Sequence, residues 1–235
     1  MAVAVALGLG AVGAVGPAGS VGTVGTAPAG AQSACTPVEL VIARETGSAQ
    51  GSSWLLTGIA RSISTRIGGQ TSTYHVNYPA SWDFISSVPQ GVTDMVRHLN
   101  EQAARCPDQK FVLLGYSQGA MVGGDALASP MDRTMGPSQT LSGDAASSIA
   151  AVVWFGDPRF RSGESYNAGN PSAGANGVYP RRQGALSAFA DRIRDYCASG
   201  DPVCQSGSVN YIAHAGYVWD FAAQADAASF VDSKV

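Results

Sequence analysis

Ser117 stands between two glycines in Gly115-Tyr116-Ser117-Gln118-Gly119, directly behind the apolar run Phe111-Val112-Leu113-Leu114. A serine hydroxyl is a poor nucleophile until a base removes its proton, and that base must be oriented by a third group. Glycines on both sides answer to a strand-to-helix turn so sharp that a side chain at either position would strike neighbouring backbone. Such a turn lifts the serine hydroxyl to the mouth of the following helix. The chain has 29 glycines, so the pentapeptide has force only if a base and an acid exist elsewhere.

Three histidines are available. His75 falls in an alternating strand pattern and His98 on the charged side of a helical pattern, so both read as ordinary surface or half-buried residues. His214, in "YIAHAGY", lies where a loop meets the last helix, and loops at the carboxyl ends of parallel strands converge on one site. Two carboxylates compete for the third role. Asp157 ends a buried strand, while Asp201 lies between Cys197 and Cys204, in a loop that a disulfide would hold. An imidazole must be oriented to within about half an ångström, which favours the stapled loop. Asp201 also gives the order Ser, Asp, His along the chain, that of the α/β-hydrolase type. Asp157 then reads as the cap of an Asp-Pro turn. Ester hydrolysis further needs donors for the developing oxyanion. The backbone N–H of Gln118, at the start of the helix after the turn, is one. Thr46, in the loop 43–51, offers a backbone N–H and a hydroxyl as the second.

The elements that must position these groups alternate. Apolar β-branched runs at 38–43, 73–79, 110–117 and 149–158 read as strands; helical spacing covers 53–67, 91–106 and 118–129, and the tail from His214 closes with a helix. Strand and helix in alternation predict an α/β fold with a mostly parallel sheet covered on both faces. Residues 159–188 read as a loop within one domain. Hydrophobic residues at 45%, charged ones at 13% and a net charge of −3 describe a globular domain, and exclude the basic excess of a nucleic-acid binder.

Residues 1–34 carry no charge, and the stretch closing on Ala29-Gly30-Ala31 reads as a secretory leader over 1–31, followed by one domain over 35–235. Repeated glycines and two prolines argue against a stable membrane span. Gly8-Leu9-Gly10-Ala11-Val12-Gly13 fits a dinucleotide fingerprint but precedes no helix pattern, and is rejected. Four cysteines in an exported chain predict two disulfides. Three pairings exist; Cys197–Cys204 with Cys35–Cys106 is preferred because it closes a local loop on itself. The absence of any C-x-x-C pair argues against zinc, and no metal or other cofactor is expected.

"ARET" (43–46), "NYPA" (77–80), "GYSQGA" (115–120), "FGDPRFRSG" (155–163), "CASGDPVC" (197–204) and "HAGY" (214–217) together resemble the cutinase family, which groups cutinases with one class of acetylxylan esterases. The resemblance spans nearly all of the chain after residue 35. It implies a small lidless α/β-hydrolase fold with a central five-stranded parallel sheet. It implies Ser117 as nucleophile, His214 as general base and acid, Asp201 as its partner, and Thr46 and Gln118 as the oxyanion hole. It matches the preferred disulfides and makes Asp157 structural. The expected protein is a secreted, extracellular, monomeric serine esterase. Its substrate would be a short- to medium-chain ester: polyester, lipid, or the acetyl groups of a polysaccharide. "ARET", "NYPA" and "GDPRFRSGESYNAG" look more like acetylxylan esterases, whereas the two-disulfide complement is that of cutinases. A non-catalytic binding protein or a protease on the same fold are the rival readings.

Overall fold

The computed structural model describes residues 35–133, 136–137 and 139–235; the leader expected over 1–31 lies outside them. Six strands form one sheet in the order β2-β1-β3-β4-β6-β5, every adjacent pair parallel. The strands are β1 (Val38–Ala43), β2 (Thr71–His75), β3 (Lys110–Tyr116), β4 (Ile149–Phe155), β5 (Asn167–Gly169) and β6 (Ile193–Cys197). The expected count of five is corrected to six by β5, a three-residue edge strand inside the segment read as loop. Side chains alternate across the sheet as a strand requires. Val41, Phe111, Leu113, Val152 and Trp154 face one layer, and Leu40, Ile42, Val112, Leu114, Val153 and Phe155 the other. One extra residue, Ala150, shifts the β3–β4 register between Phe111↔Ile149 and Val112↔Ala151.

Helices α2 (Phe84–Arg105), α3 (Gln118–Leu127) and α4 (Gly143–Ser148) belong with the first layer; α1 (Leu56–Arg66) and α6 (Phe221–Asp232) pack together over the second. In α1 the buried residues are Leu56, Ile59, Ala60 and Ile63, one stripe at helical spacing. Helix α2 begins seven residues before the expected 91 because Asp83 caps it, its carboxylate accepting from the Ser86 N–H at 3.3 Å. Pro89 lies within it and costs one backbone hydrogen bond without ending the helix. Helix α3 is buried along its whole length. It lies so close to the sheet that a Cβ on Gly119 would overlap the Ala43 carbonyl. Cys35–Cys106 ties the entry of β1 to the end of α2, and Cys197–Cys204 closes a loop of separation 7. Among the described residues no helix is long and apolar enough to cross a membrane.

Strand order reverses between β1 and β3: the chain leaves β1 toward one edge and returns to build the other. A crevice opens beyond the carboxyl ends of the strands at such a switch point. The residues just beyond Ala43, Tyr116, Phe155 and Cys197 all meet there.

Candidate active site

The turn after β3 is built on backbone that only a few residue types accept. Ser117 has φ 53° and ψ −118°, and its N–H donates to the Phe155 carbonyl at 2.9 Å. A Cβ at Gly115 would lie 2.8 Å from the Ala120 backbone, so the first glycine is required by close approach of α3 to its own strand. Ser117 Oγ stands 3.0 Å from His214 Nε2. On the other side of the ring, His214 Nδ1 lies 3.0 and 2.9 Å from the two carboxylate oxygens of Asp201. A carboxylate only accepts, so Nδ1 carries the proton and Nε2 offers its lone pair to the serine hydroxyl. The three side chains brought together are thus Ser117, His214 and Asp201.

Asp157, the rival acid, is engaged elsewhere. Its carboxylate forms a buried ion pair with Arg181 and accepts the Arg159 N–H at 2.8 Å. Nor do the other histidines enter the site. His98 is stacked on Tyr74 with ring centroids 3.4 Å apart, and its Nε2 lies 2.8 Å from Glu39 Oε2. His75 ends strand β2 at the sheet edge.

Asp201 is fully buried and its charge is met by three donors: His214 Nδ1, the Val203 N–H at 2.8 Å and the Tyr217 hydroxyl at 2.8 Å. The His214 backbone is held in turn, because the Tyr116 hydroxyl donates to its carbonyl at 2.6 Å. Helix α5 (Tyr211–Ala215), which carries His214, starts at an Asn210 cap. Gly156, at φ +58° after β4, passes beneath the pair. A Cβ there would lie 2.7 Å from His214 Cε1 and 3.1 Å from Asp201 Oδ2. Burial, then the charges of Glu45 and Asp201, push the Tyr116 phenol up; burial and Asp201 do the same to Tyr217. Both stay protonated donors.

Two further groups named from the sequence lie close by, Gln118 next to Ser117 in the chain and Thr46 in the same cleft. The Gln118 N–H is at the first position of α3, where no preceding turn supplies an acceptor. Its side chain is fixed, accepting from Ser87 Oγ at 2.9 Å and donating to the Ser81 carbonyl at 2.8 Å. Thr46 lines the same cleft, and its buried hydroxyl has no hydrogen-bond partner among the described residues. The loop bearing Thr46 is locked by its neighbours. Arg44 donates to the carbonyls of Ser48 (2.8 Å) and Tyr78 (2.6 Å), while Glu45 accepts from Ser48 Oγ, Ser53 Oγ and the Trp54 N–H at 2.6, 2.6 and 2.9 Å. The sequence reading took "ARET" as a signature without seeing these roles of Arg44 and Glu45.

Ser117, His214 and Thr46 open into a cleft of about 590 Å³ whose walls are largely apolar, among them Trp54, Trp82, Phe84, Val178, Tyr179, Tyr211, Val218 and Trp219. Several of these project into solvent: Trp54 is 83% exposed and Trp82 81%. Exposed Ile85 follows the lining residue Phe84 directly in sequence and Trp82 by three positions. Exposed Val209 and Ile212 lie within two positions of Tyr211 in sequence, and exposed Phe221 within two of Trp219. Three aromatic residues lie near His214 in sequence: Tyr211, Tyr217 and Trp219. Tyr211 and Trp219 do line the cleft, whereas Tyr217 is buried beneath it.

A hydroxyl, an imidazole with its free lone pair toward it, an oriented carboxylate and two donors form a set capable of acyl transfer through a serine ester. Relatives and folds agree with that chemistry. The sequence profile of the family described as Cutinase matches residues 34–235. Acetylxylan esterase 2 of Talaromyces purpureogenus is 34% identical over 219 residues, covering 86% of this chain and 88% of its own. Phospholipase Culp4 of Mycobacterium tuberculosis is 33% identical over 205 residues, covering 87% and 81%. A solved acetylxylan esterase superposes with a TM-score of 0.76 at 31% identity, over 85% of this chain and 99% of that one. This chain therefore belongs to the cutinase family and is a serine-type carboxylic ester hydrolase.

Proposed function

We propose that Ser117, His214 and Asp201 act as a catalytic triad with Thr46 and the Gln118 N–H as the oxyanion hole, on short- to medium-chain esters presented by a polyester or lipid. His214 Nε2 takes the Ser117 proton as Oγ attacks the ester carbonyl. The oxyanion that forms is held by the two donors, and His214 returns the proton to the leaving alcohol. Water, activated by the same nitrogen, then cleaves the acyl-serine. Both donors and all three triad side chains come from one chain, which supports a working monomer. Two disulfides and an apolar leader without charge support secretion into an oxidising space.

The observation that carries the substrate class is the rim of the cleft. Aromatic rings stack on sugar faces as well as on acyl chains, so Trp54, Trp82 and Trp219 alone favour neither. The aliphatic part of the lining does: Val178, 43% exposed, Val203 and Val218 face the cleft, and exposed Ile85 and Ile212 follow the lining residues Phe84 and Tyr211 in sequence, so an apolar acyl chain gains by covering this surface. Removal of acetyl groups from xylan is the second reading. It is supported by the names of the relatives and by the "ARET" and "NYPA" stretches.

The test is the chain-length profile of p-nitrophenyl esters from acetate to palmitate, with acetylated xylan beside them, for wild type and Ser117→Ala. A profile peaking at butyrate or longer supports the polyester and lipid reading. A sharp preference for acetate with release from xylan replaces it by the second. Unchanged rates in Ser117→Ala would sink the triad.

A further inference from the structure

Tyr217 is 2% exposed, lines no part of the cleft and lies three residues after His214. Its hydroxyl oxygen accepts the Ala198 N–H at 2.8 Å, so its single proton is free to point only toward Asp201 Oδ2, 2.8 Å away. The other neighbour, Cys204 Sγ at 3.5 Å, is a disulfide sulfur and a weak acceptor. The ring is clamped edge-on against Phe155 and Tyr116, at 5.6 and 6.0 Å between centroids. One phenol thus joins the segment carrying the base to both the strand end and the loop carrying the acid.

From this geometry we infer that Tyr217 is a positioning residue of the triad, holding the Asp201 carboxylate toward His214 and restraining the basicity of the imidazole; the inference rests on the triad reading above. A carboxylate in a dry site raises the proton affinity of the imidazole it faces, and each hydrogen bond it receives from another donor spreads its charge and weakens that pull. The charged groups acting on Tyr217 are Asp201 and Asp195, and those acting on the adjoining Tyr116 are Glu45 and Asp201. All are anionic, so no cation takes over when the hydroxyl is removed.

The experiment is the pH profile of kcat and kcat/KM for p-nitrophenyl butyrate with wild type, Tyr217→Phe and Asp201→Asn. Tyr217→Phe is expected to lose about tenfold in kcat, the worth of a hydrogen bond to a charged group, with KM within twofold. Its acid limb should move up by about half a pH unit, since the base now holds its proton more tightly. A second variant, site-specific replacement of Tyr217 by 3-fluorotyrosine, keeps the shape and strengthens the donor. It should move the limb the other way, and it serves if the phenylalanine variant fails to fold. A rate loss with an unmoved limb in both variants would reduce Tyr217 to packing and overturn the inference, as would wild-type behaviour of Tyr217→Phe. Asp201→Asn keeps the two failures apart: if it retained wild-type activity, the triad reading itself would be wrong.

Discussion

Gly156→Ala adds one methyl group beneath the His–Asp pair. Its Cβ would lie 2.7 Å from His214 Cε1, 2.8 Å from Nδ1 and 3.1 Å from Asp201 Oδ2. Comfortable carbon contacts are about 3.5–4.0 Å, so the imidazole must retreat by roughly an ångström or the turn must deform. Productive geometry tolerates about half an ångström, and a misplacement of about 1 Å can cost on the order of a hundredfold in rate. The hydrogen bond to Ser117, now 3.0 Å, has no slack to absorb such a shift. The backbone adds its own cost: φ is +58°, and an L-residue in the left-handed region loses about 1–2 kcal/mol. The expected result is a fall of about a hundredfold in kcat/KM for p-nitrophenyl butyrate, with a loss of only about 1–2 kcal/mol in a urea melt. Activity within threefold of wild type, in a folded variant, would refute the claim that this turn sets the position of the base.

Removing the buried Thr46 hydroxyl, which has no partner among the described residues, by Thr46→Val should lower kcat by about a hundredfold or more, the usual cost of one oxyanion donor, with little change in KM; equal kcat would exclude that hydroxyl from the hole. The two disulfides should separate stability from activity. In the loop-entropy treatment a separation of 71 gives Cys35–Cys106 about 4.4 kcal/mol and one of 7 gives Cys197–Cys204 about 2.4 kcal/mol. Denaturant melts and kcat of the corresponding serine variants should therefore show the first pair costing more stability and the second, which frames Asp201, more than tenfold in kcat. Asp195 is fully buried, and burial together with the neighbouring Asp157 charge pushes its carboxyl well above the usual range. The folded chain then keeps a proton that the unfolded chain releases above about pH 4, so this group's contribution to stability is present at low pH and is lost as pH rises. Asp195→Asn does not titrate, and its Tm relative to wild type should climb between pH 4 and 8; a difference independent of pH would contradict the protonated state.

What the sequence displayed and what it hid follow from the same physics. Strands β1, β3 and β4 are covered on both faces, so they stand out as unbroken apolar runs, and the glycine-flanked serine follows one of them directly. Strand β6 reads Ile193-Arg194-Asp195-Tyr196-Cys197 and was not recognised. Arg194 and Asp195 break the apolar pattern, and only the folded interior reveals that Asp195 is buried. Strand β5 is three residues long and exists only because β6 offers an edge to pair with. The choice of Asp201 over Asp157 could be made from the cysteines on either side of it. The partner of Asp157 could not, because Arg181 lies in a segment without periodicity. Tyr217 shows the same limit: "HAGY" gave its position beside His214, while its burial and the direction of its hydroxyl depend on three elements distant in sequence. The exposed rim was likewise illegible, since an isoleucine in water and one in the core are the same letter.

The central claim is that Ser117 is the nucleophile, and it is tested most directly by covalent labelling. An organophosphate ester with a p-nitrophenolate leaving group transfers its phosphoryl group to an activated serine, expelling one nitrophenolate. Intact-mass measurement and peptide mapping of wild type and Ser117→Ala after such treatment locate the adduct. One phosphoryl group per chain on the peptide containing Ser117, with none on the variant, is the result expected. An adduct on another residue, or equal labelling of Ser117→Ala, would contradict the account.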